Sequence, residues 1–400
     1  MDFRDDTAEA AFRSELRAWL SNNTPGPLPA DPDARTDALG DWHRRLAAAG
    51  FVGLTFPTEY GGRGLPPTFD AILNDELGLG GYPPPPAIHH ITNAIRLFGS
   101  AGQKTAHLPG MLSCAVRWCQ GFSEPNAGSD LASIRTRGVR TTSADGLDVY
   151  TVDGQKIWTS EAVWSQWCLL LCRTEPDERA HRSLSMLLVP LDAPGVQCRP
   201  IVTAGGGRDF AEVFFDSVTV PAENLLGSPG QGWEIAMQLL GYERGPGDIG
   251  WVARLIRMLA LLENDVRSGA VVVDETGRRA IAKAWVTLEA LRLHVQRTLS
   301  SRLDGSLPGP EGSIDKLLVT EADQLLNRTI LDARGAASLV DEDQWLDAYF
   351  WSRAQSVFGG TQQIQRDIVA RRFLGIPAHR PQGKARGLSA RHAQKTSTDG

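Results

Sequence analysis

The chain reads as an α+β protein in three parts: a helical N-terminal region, a small β domain of the barrel or sandwich kind, and a helical C-terminal region. Three observations predict this order. Apolar residues recur at helical spacing through the first third. From about Cys114 the texture changes to short runs rich in Leu, Val and Phe, separated by Gly, Pro and Asp. Helical periodicity then returns after Gly232. The expected divisions are residues 1–113, 114–222 and 223–378, with a disordered tail over 379–400.

Phe12, Leu16, Trp19 and Leu20 follow the start signal Asp5-Asp6-Thr7, and Asn22-Asn23-Thr24-Pro25 stops that helix. A second helix runs from Trp42 to Ala49 and stops at Gly50, before a turn-rich loop from Gly53 to Gly64. Strand signals cover Trp167 to Cys172, Ser183 to Leu191 and Glu212 to Val220. The later helices are expected at Trp233 to Tyr242, Val252 to Asp265, Arg278 to Leu303 and Ile314 to Gly335. A last helix opens at the Gly359-Gly360-Thr361 turn. Beyond Pro377 the chain is polar, basic and rich in Gly and Ser, the composition of a solvated tail.

The balance of 42% hydrophobic and 22% charged residues is that of an ordinary globular chain, and its 400 residues suggest more than one domain. A formal net charge of -6 leaves no footprint for nucleic acid. No apolar run is long enough to span a bilayer. The acidic start, Met1-Asp2-Phe3-Arg4-Asp5-Asp6, lacks an apolar signal core, so a cytoplasmic location is expected. The five cysteines form no Cys-x-x-Cys pair. Cys168 and Cys172 would share one face of a strand, and all five are expected to be buried free thiols, with no metal site. His89 and His90 fit no ligand spacing and read as structural. No Gly-x-Gly-x-x-Gly follows a strand, so a Rossmann site is unsupported.

Two distant stretches carry the functional signal. One is Ser123-Glu124-Pro125-Asn126-Ala127-Gly128-Ser129-Asp130, with Gly154-Gln155-Lys156-Ile157-Trp158-Thr159-Ser160 downstream. The other is Phe358-Gly359-Gly360-Thr361-Gln362-Gln363-Ile364-Gln365-Arg366. Any one Gly/Ser/Asn-rich turn is more often only a turn. In this order, with Glu243-Arg244-Gly245-Pro246 between them, they resemble the flavin-binding loops of the acyl-CoA dehydrogenase family, in particular its actinobacterial branch. The resemblance runs from about Phe3 to Pro377. It implies the family fold: an N-terminal helical domain, a middle β-barrel domain and a C-terminal four-helix bundle.

It also implies FAD as cofactor, α,β-dehydrogenation of an acyl thioester, and hydride transfer to flavin N5. By resemblance Gln120, Phe122 and Ser123 line the flavin, and Gly128 and Ser129 approach the pyrophosphate and the substrate. Trp158 packs on the ring, with Thr159 and Ser160 as polar contacts; for Trp158 alone the bland reading is core packing. Gly360, Thr361 and Gln363 open a helix whose free N–H groups suit flavin polar atoms. Arg278 is matched to the arginine that reaches FAD from a neighbouring subunit.

The family's usual base is a glutamate where this chain has Gly359. Some members carry it on another helix, directly before an arginine, and Tyr242-Glu243-Arg244 matches that arrangement. Spacing supports the match independently: Glu243 falls four residues after Leu239 and three after Leu240, on their apolar face. A carboxylate there is either paired or functional. An ordinary Glu–Arg surface pair is the plain alternative; the glycine at the usual base position favours Glu243 as catalytic base. Gly359 keeps its backbone N–H, the family's donor to the enolate oxygen. Arg244 is expected near the nucleotide or pantetheine end of the thioester.

Further readings stay open at this point: a flavin oxidase or monooxygenase on the same fold, a thioester borne by an acyl-carrier protein instead of coenzyme A, or a non-catalytic FAD-binding subunit of a hetero-oligomer. The expected partners are the acyl thioester, an electron-transfer flavoprotein or similar acceptor, and further copies of the chain in a dimer or tetramer.

Overall fold

The computed structural model describes residues 4–86, 89–175, 180–242, 246–301, 309–339 and 344–377. The chain begins with five helices: α1 (Thr7–Asn22), α2 (Pro32–Ala48), α3 (Pro67–Gly80), α4 (His89–Phe98) and α5 (Ala101–Leu112). Asp6 caps α1 reciprocally. Its carboxylate accepts from Glu9 N at 2.8 Å, and the Glu9 carboxylate accepts from Asp6 N at 2.9 Å. Phe12, Leu16 and Leu20 then fall on the buried face, against Trp42 and Leu46 of α2 and Phe69 and Leu73 of α3. The second helix starts ten residues before the expected Trp42, because Asp31 caps it and Pro32 presets its first turn.

Eight strands follow: β1 (Trp118–Gly121), β2 (Arg137–Thr142), β3 (Asp148–Ser160), β4 (Trp167–Arg173), β5 (Leu184–Pro190), β6 (Val196–Ile201), β7 (Phe210–Pro221) and β8 (Leu225–Leu226). They form one mixed sheet in the order β6-β7-β3-β2-β4-β5-β8, with β1 beside β4. Pairings β1–β4 and β2–β4 are parallel and the others antiparallel. Strand β4 is buried on both faces: Cys168, Leu170 and Cys172 enter one apolar cluster, Leu169 and Leu171 the other. That places the two cysteines on one face, as period 2 requires. All five cysteines are free; Cys114 and Cys198 are half-buried, where full burial was expected.

The C-terminal helices are α6 (Gly232–Tyr242), α7 (Pro246–Ser268), α8 (Glu275–Ser300), α9 (Glu311–Arg334), α10 (Gln344–Ala354) and α11 (Gln362–Ile368). Val252, Leu255, Leu259 and Leu262 of α7 pack on Leu288, Leu291 and Val295 of α8 and on Val319, Leu326 and Ile330 of α9, making the bundle core. Helix α7 also lies tightly against α3. A Cβ on Gly78 would come within 2.7 Å of Gly250 O, so only glycine permits this crossing. The N-terminal and C-terminal helices are thereby joined, and Gln103 Nε2 ties α5 to the end of the sheet through Glu223 O and Leu225 O. Among the described residues no helix is long and apolar enough to cross a membrane. The expected tail over 379–400 lies outside the described residues.

Candidate functional site

Strand β3 carries the first part of the site. Its pairing with β7 matches Lys156 to Val213 and Thr159 to Ala211, so three steps on β3 oppose two on β7. The extra residue is a β-bulge, and Trp158 within it adopts φ +60°. The bulge turns the indole off the sheet, leaving Trp158 57% exposed beside the buried Thr159. From Trp158 a line of aromatic rings crosses to the helical bundle. Trp158 meets Phe210 edge-on at 6.1 Å, Phe210 stacks on Trp351 at 6.0 Å, and Trp351 meets Phe358 at 5.7 Å. This line brings the two sequence signals, about two hundred residues apart, into one corner.

At its end stand Gly359 and Gly360, with φ +61° and +86°. Two consecutive left-handed residues make a turn that other side chains strain. Thr361 caps the following helix by accepting from Ile364 N at 3.2 Å. Gln365, fully buried on α11, donates its amide to Gly359 O at 2.9 Å and to Gly360 O at 3.4 Å. The turn's carbonyls are thus drawn back toward α11. Among the described residues the Gly359 N–H has no acceptor. Gln363 is exposed on the same short helix.

The third part is the loop after β1. Gln120 is half-buried and Cys119 and Gly121 are buried on the strand. The Phe122 ring lies in the core with Trp118 and Leu169, so its backbone, and not its ring, is what a ligand can meet. Ser123 O accepts from Ile157 N at 2.9 Å, binding the loop to β3. Lys156 Nζ donates to Phe122 O and to Glu124 Oε1, both at 2.9 Å. Glu124 also accepts from Arg135 N at 2.6 Å and Thr136 N at 2.9 Å. Burial pushes the Glu124 carboxyl up, but the Lys156 charge and these donors outweigh it and hold it below the usual carboxylate range. Burial pulls the Lys156 ammonium down, against the attraction of Glu124. The ammonium and carboxylate stand 2.9 Å apart with both side chains shielded from solvent, so the two groups form a buried ion pair. Gly128, Ser129 and Asp130 form the exposed tip of the loop.

Of the expected site residues, Gln120, Phe122 and Ser123 at the end of β1 are tied to Trp158, Thr159 and Ser160 on β3 through the Ile157 N–Ser123 O bond, and the aromatic line leads from Trp158 to Gly359, Gly360 and Thr361. Arg278 stands apart, exposed on the first turn of α8. Glu243 and Arg244 lie outside the described residues. Chain enters that segment from α6, whose Ile235, Ala236 and Leu239 are packed in the core with Ile91 and Ile95 of α4. Sequence reasoning missed the structural parts played by Glu124, Lys156 and Gln365. The spacing of Gln365, six residues after Gly359, was the one available signal for a back-bond to the turn.

A flavin fits this corner. An exposed indole offers a flat apolar surface, the Gly359 N–H lacks an acceptor, and Thr159 Oγ1 is buried with no partner among the described residues. A Cβ on Gly128 would meet nothing within 4 Å, which leaves open space at the loop tip.

Three family models match the chain: the acyl-CoA dehydrogenase N-terminal domain over residues 6–115, the middle domain over 119–218 and the C-terminal domain over 230–374. Acyl-CoA dehydrogenase IpdE1 of Mycobacterium tuberculosis is 37% identical over 383 residues, covering 92% of this chain and 97% of that protein. The protein of that name from Mycolicibacterium smegmatis is 36% identical, with the same coverage. Among solved structures, the Tcur3481-Tcur3483 steroid ACAD matches with a TM-score of 0.82 at 30% identity, covering 95% of this chain and all of its own. The ChsE4-ChsE5 complex from Mycobacterium tuberculosis matches with a TM-score of 0.80 at 25% identity, covering 95% of this chain and 100% of the matched chain. The chain belongs to the acyl-CoA dehydrogenase family: it is a flavoprotein oxidoreductase that uses FAD to dehydrogenate acyl-CoA.

Proposed function

We propose that this enzyme forms the 2-enoyl thioester with Glu243 as the base that removes the α-proton, and with the Gly359 N–H as a donor to the developing enolate oxygen. FAD, when bound, supplies the acceptor for the β-hydride. The observation that carries the reading is the Gly359-Gly360 turn. Gln365 draws its carbonyls back, and the Gly359 N–H has no acceptor among the described residues. A fixed donor without a partner is what a charge developing on oxygen requires. Glycine at 359 supplies that donor but no carboxylate, so the base must come from elsewhere, and Glu243 is the next residue in the sequence after α6, four after the buried Leu239. A carboxylate shielded from water there would have its pKa raised toward the working range of a general base.

The missing side chain at 359 also leaves width beside the substrate's Cα. With a steroid ACAD among the similar structures, a ring-bearing acyl group is the substrate class we favour. We further place Gln120, Phe122, Ser123, Trp158, Thr159 and Ser160 around the flavin ring, Gly128 and Ser129 at its pyrophosphate, and Arg244 at the nucleotide end of the thioester. Gly360, Thr361 and Gln363 complete the flavin contacts. Electrons then leave to a separate flavoprotein, and the enzyme works as an oligomer in which Arg278 serves a neighbour's site.

The test is anaerobic. The purified flavoprotein is mixed with linear, branched and ring-bearing acyl-CoA thioesters, and the flavin band is followed. Bleaching is expected, strongest with a ring-bearing acyl group and lost in Glu243→Gln with FAD retained. Undiminished bleaching in Glu243→Gln would remove Glu243 as base. Bound FAD with no bleaching by any acyl-CoA would point to a carrier-protein substrate or a missing partner subunit.

A further inference from the structure

We propose that Glu124 and Lys156 are positioning residues: together they form a clasp that sets the loop from Pro125 to Ile134 in the conformation that holds FAD. The inference rests on placing that loop at the cofactor, and adds what fixes its shape.

One carboxylate closes both ends of the loop. Glu124 stands at its start, and its two oxygens accept from the N–H groups of Arg135 and Thr136 at its end, 2.6 and 2.9 Å away. Lys156 reaches from β3 to the same carboxylate and to Phe122 O, each at 2.9 Å. The neck therefore has four bonds on two charged groups, with Lys156 fully buried. Inside it, Glu124 and Ala127 exchange backbone bonds of 3.0 Å in both directions and shape the first turn. The far side is held by Arg173, whose Nη2 donates to Ala132 O at 3.0 Å and Ile134 O at 3.2 Å. Only Gly128, Ser129, Asp130 and their flanks are left to face a ligand.

Burial alone does not call for charge here. A buried ion pair is often replaced by well-packed apolar groups at no loss of stability. Apolar groups give no direction, whereas this pair fixes three backbone groups of the neck at hydrogen-bond distance. Its distinctive effect should therefore be on loop geometry, and so on FAD, more than on folding. A loop that must be ordered before it binds loses affinity by the fraction of time it spends in the competent shape.

The double variant Glu124→Gln with Lys156→Met neutralises the clasp at nearly constant volume. The apoprotein is expected to unfold cooperatively, with a denaturant midpoint lowered less than in Glu124→Ala, while the dissociation constant for FAD, read from quenching of flavin fluorescence, rises at least tenfold. The visible flavin band should lose fine structure. Arg173→Met leaves the clasp in place and removes the bonds to Ala132 O and Ile134 O together with that to Ser183 Oγ; it should raise the dissociation constant less. Gly128→Val serves as control for the loop itself: its Cβ meets no protein atom, so the fold is kept while the space beside the cofactor is filled. If Gly128→Val leaves FAD affinity intact, the loop is not at the cofactor and the underlying reading fails. If Gly128→Val weakens FAD but the double variant binds within twofold of wild type, the clasp proposal fails. Failure of both the double variant and Lys156→Met to fold would also overturn it, making the pair a folding element.

Discussion

Two of this molecule's shielded carboxylates are handled in opposite ways. In the loop after β1, Glu124 receives an ammonium and two backbone N–H groups, and its acidity is strengthened. In the helical bundle, Asp323 on α9 is 3% exposed and receives the Asn327 amide at 2.6 Å, while its Oδ2 has no partner at hydrogen-bond distance among the described residues. Burial dominates there and pushes its pKa up to about 6, although Gln355, Trp251, Arg353 and Asn327 all favour the charged form. Arg254 is half-buried nearby; desolvation brings its guanidinium down to about 10, against the pull of Asp323. The lesson is that depth alone does not decide the charge of a buried acid. The donors held at hydrogen-bond distance, and the charge they carry, do: three including Lys156 at Glu124, one neutral amide at Asp323.

The largest effect expected follows from breaking the better-satisfied site. Glu124→Ala strands a fully buried ammonium and leaves two backbone N–H groups without acceptors. It should cost about 3–5 kcal/mol in urea unfolding at pH 7. Lys156→Met should cost less, because Glu124 keeps its two backbone donors. A smaller loss for Glu124→Ala than for Lys156→Met would overturn the donor-counting argument.

The second effect is on pH, and the two acids differ in sign. Glu124 has a depressed pKa in the folded state, so its contribution is present above the ordinary carboxylate range and is lost as pH falls through the folded value. Asp323 titrates near 6 when folded against 3.8 in the ordinary range, so the folded state binds more protons between those values. Stability from this group therefore falls as pH rises from about 4 to 6, by about 3 kcal/mol at most. Asp323→Asn should flatten that part of the profile and gain stability at pH 7. Denaturant midpoints at pH 4.5 and 7 decide it; parallel wild-type and variant profiles would refute the assignment.

Next in size is the turn. Gln365→Leu removes both amide bonds to Gly359 O and Gly360 O, for about 1–3 kcal/mol. If those bonds hold the turn, amide exchange at Gly360 and Thr361 should accelerate before any change in the sheet. Exchange that rises equally in β3 would show a global effect instead.

The same contrast explains what could be read from the sequence. Helices announced themselves because Phe12, Leu16 and Leu20, or Leu255, Leu259 and Leu262, repeat at the helical period and are buried on it. Strand β4 was legible because it is apolar from Trp167 to Cys172. Strands β2 and β6 were not: β2 buries one residue of six and β6 none, so neither shows a buried face. Strand β3 hides for a different reason. Its most buried residue near the site is a lysine, whose cost is met by Glu124, eleven to twelve residues from the N–H groups that share that carboxylate. Helix α10 escaped notice because it buries only Trp345 and Ser352. The motif residues were legible through their resemblance to a family. The groups that hold them, Glu124, Lys156 and Gln365, act through long-range pairing that no local pattern encodes.

The smallest effect gives the sharpest separation between the charged clasp and the backbone turn. Gly359 has φ +61°, a region that an alanine enters at a cost of about 1 kcal/mol. Gly359→Ala keeps the N–H, the Thr361 cap and the Gln365 bonds, all of which lie on groups the new methyl does not replace. FAD affinity should stay within twofold of wild type, unlike that of the clasp variants. Bleaching by small linear acyl-CoA thioesters should persist with less than a tenfold loss of rate, because the donor to the enolate oxygen is still present. Bleaching by ring-bearing thioesters should fall further, because the methyl takes the width that glycine leaves beside Cα. Equal losses for linear and ring-bearing substrates would show that the absence of a side chain at 359 serves only the turn. Complete loss with both, in a variant that retains FAD, would show that the N–H cannot work from a strained backbone.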